Sequence, residues 1–274
     1  MCSKLLKITD LLKNKDPFTF SFEVTPEISE ADLDKIEVQP MFYSVTWHAS
    51  NHQCKDLNIP PLKLASLLKQ KGKHVLLNLS CHLMTKKYLN ELLPWLQEKD
   101  ICNLFIVLGA SFDPSGSDFN TSQEMILYIK EKTRDYFCIG VAGFPYNNYK
   151  ISVLKEKIDN GADFIISQAF FEANVFKDFI KKCKDANLNA PIIPGIFPFQ
   201  SQSELNSFLK LCKVEVTKEF MEKLKKEPEN TINVVENLIH EIRNNLHVNH
   251  FHFFTINKLD KTCDLILKLR KTIK

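Results

Sequence analysis

Two polar side chains stand at the ends of apolar runs in this sequence, and both are of types that carry out chemistry. Glu23 ends the run Phe18–Phe22, and Gln168 ends the run Ala162–Ser167. A carboxyl group with apolar neighbours has a raised pKa and donates a proton near neutral pH, whereas an amide offers both a donor and an acceptor. Glu23 is therefore a candidate general acid and Gln168 a candidate contact for a flat heteroaromatic ligand. A rim salt bridge for Glu23 and a loop-capping role for Gln168 are the alternatives.

Histidine and cysteine residues give no comparable signal for a metal centre. His48, His52 and Cys54 lie close together, but their spacing matches no closed set of four zinc ligands. His250 and His252 alternate with phenylalanines, which favours packing in the core or at the edge of the site. We therefore predict no metal site.

The chain that must position these residues alternates apolar runs with helical segments. Gly72 and Gly161 each follow a helical run and precede an apolar run, as helix C-terminal stops do. Parallel buried strands read as near-continuous apolar runs. The candidate strands are Phe18–Val24, Met41–Trp47, His74–Ser80, Asn103–Gly109, Tyr136–Phe144, Asp163–Ala169, Ala190–Phe197 and Phe251–Asn257.

Eight strand–helix units predict an α/β fold, a single (β/α)8 TIM barrel that spans residues 1–274. An open doubly wound sheet is the alternative, but the Gly-x-Gly-x-x-Gly loop that usually accompanies it is absent from the sequence. Active sites of such barrels lie at the C-terminal ends of the strands, and Glu23 and Gln168 both fall there. Other residues at predicted strand ends are Thr46, Trp47, Asn78, Gly109, Ala110, Ser111, Ala142, Gly143 and Phe144.

Composition excludes several classes of function. The 274 residues are 44% hydrophobic and 25% charged with a net charge of +3, which lacks the clustered basic excess of a nucleic-acid surface. No apolar run approaches the roughly 18 residues that span a bilayer. None of the eight cysteines forms a Cys-x-x-Cys pair. We expect reduced thiols, a cytoplasmic protein and no membrane or nucleic-acid partner.

Several short segments in order resemble the 5,10-methylenetetrahydrofolate reductase family. They run from about Phe18 to Leu269 and are Ser21–Glu23, Val45–His48, Val141–Pro145, Gly161–Gln168, Pro194–Pro198 and His252–Asn257. Many motifs matching in order make a far more specific signal than any one of them. The family fold is a (β/α)8 barrel, in agreement with the strand count.

The resemblance implies a reaction and a set of roles. NADPH or NADH reduces bound FAD, and the flavin then reduces 5,10-methylenetetrahydrofolate to 5-methyltetrahydrofolate, a step of one-carbon metabolism that serves methionine biosynthesis. Glu23 matches the family's general acid. Gln168, Phe254 and Lys258 match positions that contact the substrate. Cofactor contacts are implied for Thr46, Trp47, Asn78, Gly109, Ala110, Ser111, Ala142, Gly143, Phe144 and Lys157. We expect no C-terminal regulatory domain and a possible homo-oligomer.

The resemblance is incomplete around the flavin. The family's fourth strand ends in Leu-Arg-Gly-Asp, whereas this chain has Leu108-Gly-Ala-Ser111. Lys150 stands where the family has an aspartate, and the loop after Pro145 is shorter. Two alternatives therefore stay open: a flavin-free enzyme of the same fold that acts on folate or a related substrate, and a non-catalytic protein that binds folate or a partner.

Overall fold

The computed structural model describes residues 5–51, 56–109, 112–147, 150–226 and 231–273. Its sheet is entirely parallel, with the strand order β7-β6-β5-β4-β3-β2-β1-β9-β8. The strands are β1 (Thr19–Val24), β2 (Tyr43–Val45), β3 (Val75–Ser80), β4 (Asn103–Val107), β5 (Cys138–Gly143), β6 (Phe164–Ser167), β7 (Ile192–Ile193), β8 (Gly195–Ile196) and β9 (His250–Phe253).

The β7 and β8 strands are two halves of one barrel strand, and they close the sheet into a barrel. Ile192 and Ile193 pair with β6, whereas Gly195 and Ile196 pair with β9. Pro194 lies between the halves; it has no N–H to donate, but its carbonyl accepts from the His252 N–H at 2.9 Å. The predicted seventh strand is thus interrupted at Pro194, and the prediction of an eight-unit barrel is confirmed.

Helices surround the sheet in the order expected for strand–helix units. They are α1 (Ile8–Leu11), α2 (Glu30–Asp34), α3 (Pro60–Gln70), α4 (Lys86–Glu98), α5 (Ser122–Thr133), α6 (Ile151–Asp159), α7 (Ala173–Asp185), α8 (Gln202–Cys212), α9 (Lys218–Lys226), α10 (Thr231–Leu246) and α11 (Leu259–Thr272). Gly72 and Gly161 follow α3 and α6 with φ of +71° and +105°, as predicted for helix stops. The α4 helix continues through Pro94.

A short apolar plug fills the N-terminal end of the barrel, which we call the floor. Ile8 of α1 is fully buried there with Phe42 and Phe164. Its N–H donates to Asn103 Oδ1 at 2.8 Å, so that α1 is fixed to β4. The opposite end, where the strands finish, is therefore the open end; we call it the mouth.

Candidate active site

Glu23 lies near the mouth end of β1, in a setting that favours its protonated form. Part of the side chain reaches solvent, but the Oε2 atom is buried and has no hydrogen-bond partner among the described residues. Burial raises the pKa of the Glu23 carboxyl from 4.5 to about 7, and hydrogen bonds from the backbone of Ile256 and Thr255 partly oppose this rise. A carboxyl group with such a pKa is a proton donor at neutral pH.

The loop after β9 is held tightly against Glu23. The Thr255 hydroxyl donates to the Glu23 carbonyl at 2.6 Å, and Asn257 Nδ2 donates to the Thr25 hydroxyl at 2.7 Å. Ile256 and Asn257 both adopt left-handed backbone, with φ of +47° and +56°. Such a conformation is strained for a β-branched residue such as Ile256, and strain of this kind clusters at functional sites.

Gln168 directly follows β6 and is partly buried. Its N–H donates to the Gly143 carbonyl at 2.7 Å, and its own Oε1 accepts from the Ala169 N–H at 3.0 Å. The side-chain oxygen therefore has the loop-capping role that the sequence left open. The Nε2 group has no partner among the described residues and is the part of Gln168 that can meet a ligand.

Thr46 and Trp47 directly follow β2, whereas Asn78 lies within β3, two residues before its predicted and observed end, and the three side chains have different surroundings. Asn78 Oδ1 accepts from the Ser44 hydroxyl at 3.0 Å, and the Thr46 hydroxyl donates to the Val24 carbonyl at 3.3 Å. Trp47 is only 5% exposed and packs edge-on against Tyr88 of α4, with ring centroids 6.2 Å apart. The Trp47 ring thus belongs to the apolar layer between barrel and helices.

Gly109 lies in the turn after β4, at a point where no other residue fits without strain. Its φ is +105°, and a Cβ atom there would lie 2.2 Å from Ser80 Oγ. The Ser80 hydroxyl donates to the Leu108 carbonyl at 3.2 Å, which fixes the close approach. Ala110 and Ser111, the other predicted residues of this loop, lie outside the described residues.

Ala142, Gly143 and Phe144 lead from β5 into the shortened loop. Gly143 is buried, and a Cβ atom on it would lie 2.8 Å from the Phe179 ring, so it faces the helix layer. Ala142 is partly exposed on the alternate face of the strand. Phe144 is also partly exposed, and Lys150 Nζ lies 3.9 Å from its ring centroid in a cation–π contact.

Lys150 lies at the N-cap of α6, and Lys157 lies in its last turn. Lys157 is 9% exposed and has no acidic partner among the described residues, and burial and the nearby Lys150 lower its pKa. Long side chains of a helix point toward its N-terminus, so the Lys157 ammonium lies nearer to Lys150 than the Lys157 backbone does. Asn147, just before α6, has a buried Oδ1 without a partner in the described ranges. These groups suit an anionic ligand.

Aromatic rings line the side of the mouth next to β9. Phe254 is partly exposed, and its ring lies 5.2 Å from His252 and 6.4 Å from Phe208 of α8. Phe254 follows β9 instead of ending it, because the strand stops at Phe253. Lys258 is exposed and pairs with Glu204 at 3.4 Å. Phe254 therefore belongs to the mouth wall, while Lys258 stands at its rim.

One network at the mouth has no counterpart among the sequence predictions. The Tyr146 hydroxyl donates to Glu172 at 3.3 Å, and the Thr217 hydroxyl donates to the other Glu172 oxygen at 2.6 Å. This joins the loops after β5 and β6 to the start of α9. Glu172 lies four residues after Gln168, a spacing that gives no warning of the link because its partners are distant in sequence.

Outside the mouth, the described residues form fewer features that suggest a functional site. No group of three or more His, Cys, Asp or Glu side chains in the described ranges is placed to hold a metal ion. None of the described helices is long and apolar enough to cross a bilayer. Two open grooves of about 550 and 540 Å³ lie away from the mouth, lined respectively by Leu62 and Trp95 and by Met41 and His74.

Fold and site together define a parallel α/β barrel with a buried carboxylic acid, an amide and a cationic corner at its mouth. The sequence of residues 7–270 matches the family model of methylenetetrahydrofolate reductase. The chain therefore belongs to the methylenetetrahydrofolate reductase family, which confirms the resemblance found in its motifs.

Individual members of the family are similar in sequence to this chain. Methylenetetrahydrofolate reductase 2 of Schizosaccharomyces pombe is 30% identical over 97% of this chain and 47% of its own length. For methylenetetrahydrofolate reductase 2 of Saccharomyces cerevisiae the identity is 28%, over 84% of this chain and 41% of that protein. The chain thus spans about half the length of these relatives. The 5,10-methylenetetrahydrofolate reductase of Buchnera aphidicola is 27% identical over 81% of this chain and 79% of its own length.

Solved structures support the fold. An uncharacterized protein from Clostridium thermocellum, described as binding two copies of 5-methyl-5,6,7,8-tetrahydrofolic acid, superposes with a TM-score of 0.68. It covers 96% of this chain and 98% of its own at 13% identity. An oxaloacetate acetylhydrolase gives a TM-score of 0.57 at 12% identity, over 96% of this chain and 84% of its own.

Proposed function

We propose that this chain reduces 5,10-methylenetetrahydrofolate to 5-methyltetrahydrofolate with a hydride that comes from NADPH or NADH. The observation that carries the proposal is the protonated Glu23 at the mouth, whose pKa burial raises to about 7. The five-membered ring of the substrate must open to an iminium ion before it accepts a hydride, and opening requires protonation of a ring nitrogen. Glu23 is the group that supplies this proton.

Other residues at the mouth bind and orient the ligands. Gln168 presents its free Nε2 group to the amide edge of the pterin or of the nicotinamide. Phe254 offers an aromatic face to the folate, and Lys258 at the rim attracts its glutamate carboxylates. Thr46 and Asn78 line the inner wall, where their polar atoms already have protein partners and so hold fixed positions.

The positive charge of two lysines on α6 suits the anionic diphosphate of FAD. Lys157 and Lys150 form a cationic pair with no acidic partner among the described residues, and the buried Asn147 Oδ1 is available to a hydroxyl or amide donor of the ligand. Lys157 and Lys150 would face the diphosphate, while Gly109, Ala142 and Phe144 would border the rest of the cofactor. When bound, FAD supplies a carrier that takes hydride from the nicotinamide and delivers it to the folate. The cytoplasmic location and the homo-oligomer stay predictions from the sequence.

A visible spectrum of the purified protein is the first test. A flavin absorption band, or its appearance on reconstitution with FAD, is expected. A colourless protein that cannot be reconstituted refutes the flavin-dependent reaction, and NAD(P)H oxidation with methylenetetrahydrofolate then distinguishes a flavin-free enzyme from a non-catalytic binder.

The role of the acid is tested by Glu23→Gln. We expect folate reduction to fall by a factor on the order of 10²–10⁴, the usual contribution of a general acid, while folate still binds. NAD(P)H oxidation with a quinone acceptor needs no proton on a folate nitrogen and should persist. Near-normal folate reduction in this variant would refute the proposal for Glu23.

A further inference from the structure

Two histidines lie inside the barrel between the floor and the mouth, and the proposed reaction leaves both unused. Thr19 pairs with His250, and Ser21 with His252, where β1 runs beside β9. The side chains form one hydrogen-bonded row: Thr19 Oγ1 to His250 Nδ1 at 2.9 Å, His250 Nε2 to Ser21 Oγ at 3.1 Å, and Ser21 Oγ to His252 Nδ1 at 2.8 Å. We call these four residues the interior row.

Every member of the interior row can both donate and accept a hydrogen bond. The protons therefore have two consistent arrangements. In the first, the Thr19 hydroxyl donates to the Asn249 carbonyl at 3.3 Å, and each bond of the row then runs from His252 toward Thr19. In the second, Thr19 donates to His250 and every bond runs the other way, which leaves the proton of His252 on Nε2. When the second arrangement changes into the first, one proton leaves the row at His252 Nε2 and one enters it at Thr19, so that one positive charge has moved along the barrel.

Burial keeps both rings neutral, as such exchange requires. Desolvation lowers the pKa of His252 to about 3, and desolvation together with His252 lowers that of His250 to about 3. The Phe42 ring stacks on both imidazoles, with centroids 5.4 Å from His250 and 6.0 Å from His252. The ring faces are thus covered by an uncharged neighbour, and the ring nitrogens that the row uses are in hydrogen bonds.

The upper end of the interior row lies one layer below Glu23. Glu23 is two residues beyond Ser21 on β1, so their side chains share a face about 6.6–6.8 Å apart along the strand. Two water molecules, joined by hydrogen bonds of about 2.8 Å each, span such a step. The buried Glu23 Oε2 has no partner in the described residues. Among the described residues, the backbone of Thr255 and Ile256 and the Cys212 thiol also lie near the carboxyl.

We propose that the interior row is a proton relay that returns a proton to Glu23 after each transfer to substrate. The proposal rests on the proposed function, in which each turnover consumes one proton. In the relay, His252 Nε2–H gives its proton through water to the Glu23 carboxylate, and Ser21 gives one to His252 Nδ1. His250 Nε2–H then gives a proton to Ser21, Thr19 gives one to His250 Nδ1, and solvent at the floor restores Thr19. Once the ligands have left, water at the mouth gives a proton to His252 Nε2, every bond of the row reverses, and Thr19 releases a proton at the floor, so that the row is reset for the next turnover. No bond other than those to hydrogen changes, and no electrons are transferred.

The relay explains why polar groups stand in an otherwise apolar interior. Ligands that cover the mouth close the direct path from solvent to Glu23. Thr19 starts β1 at the floor and is partly exposed, so this end of the row stays in contact with water. Thr19, His250, Ser21 and His252 are positioning residues in this scheme, because none of the four touches the substrate and each acts through Glu23.

The first experiment tests the relay without any enzymatic activity. Nitrogen-15 NMR of the histidine side chains, in the whole ligand-free protein, reports protonation and tautomer. We expect His250 and His252 to stay neutral down to about pH 4 and Ser21→Ala to change the tautomer balance of both rings together. A His252 ring that is charged at pH 6, or rings that respond independently to Ser21→Ala, would overturn the relay even in a protein without reductase activity.

The second experiment measures the flow of protons. Thr19→Val removes the lower hydroxyl, whereas Thr19→Ser keeps it and is the matched control. Steady-state reduction of methylenetetrahydrofolate should slow by about tenfold in Thr19→Val, with a larger solvent deuterium isotope effect because proton return then limits the rate, and should recover in Thr19→Ser. Equal rates and isotope effects in all three proteins would overturn the relay. If the natural protein reduces no folate at all, the proposed function fails, and the NMR result alone decides on the relay.

Discussion

Glu23→Gln should make the stability of this protein less dependent on pH. The folded-state pKa of Glu23, about 7, lies above its ordinary value of 4.5. The folded state therefore holds this proton more tightly than the unfolded state, and stability falls as pH rises from 4.5 through 7. The side-chain amide of Gln does not titrate, and its oxygen can accept the backbone hydrogen bonds while the NH2 group takes the place of Oε2.

The size of the effect follows from the shift. A change from 4.5 to about 7 corresponds to about 3 kcal/mol at 1.36 kcal/mol per pKa unit, as an upper bound because part of the side chain reaches solvent. Urea denaturation at pH 4.5 and at pH 8.5 gives the free energy of unfolding of the natural protein and of the variant. The difference between the two proteins should change by this amount from one pH to the other. Taking that difference cancels His250 and His252, whose lowered pKa values destabilise the fold as pH falls below 6.5 in both proteins.

An exposed glutamate is the matched control. Glu91 on the outer face of α4 is exposed, and Glu91→Gln should leave the pH dependence of stability as it is in the natural protein. If Glu23→Gln and the natural protein differ by the same free energy at both pH values, within about 0.5 kcal/mol, then Glu23 is not held protonated by burial. The proton-donor role would lose its physical basis at the same time.

Three further outcomes are expected. The rate of folate reduction should fall as pH rises through about 7, because Glu23 loses its proton, and a pH–rate profile of the single-turnover reaction checks this. Gly109→Ala should lower the free energy of unfolding by about 1–3 kcal/mol from backbone strain plus the contact with Ser80; Gly72→Ala, with positive φ but open space, isolates the strain in parallel urea titrations. Lys157→Met should weaken FAD by a factor of about 10–100 in a flavin-fluorescence titration without lowering thermal stability, because the lost cation has no acidic partner among the described residues.

Much of the fold was accessible from the sequence because the barrel repeats one simple pattern. Each parallel strand is buried on both faces, so its apolar run is visible without knowledge of its neighbours. The strand ends were less accessible: β2 stops at Val45 and β9 at Phe253, short of the predicted Trp47 and Asn257. The apolar character continues beyond these points because the loops pack against the helix layer, and composition alone does not separate such a loop from a strand.

The part of the candidate site that could be predicted from the sequence is the part in which a residue's sequence neighbours also surround it in the fold. The apolar neighbours of Glu23 in the sequence already imply a raised pKa, and the barrel preserves that environment. Trp47 differs, because its direction depends on Tyr88, which lies 41 positions away in the sequence and whose approach no local pattern encodes. The link between Glu172 and Thr217 is of the same kind. Pairwise contacts between distant loops are the part of this site that requires the structure.

The structure gives the two interior histidines a definite set of hydrogen-bond partners, which the sequence did not predict. From the sequence, His250 and His252 were expected to pack in the core or at the mouth. The register of β9 on β1 places their rings in one row with Thr19 and Ser21. The Ser21 hydroxyl forms hydrogen bonds with both rings, and both rings are neutral at physiological pH. An apolar pair of side chains would fill the same space without desolvating four polar groups. The polar row therefore has a cost that packing alone does not explain, and a path for protons to Glu23 gives it a reason.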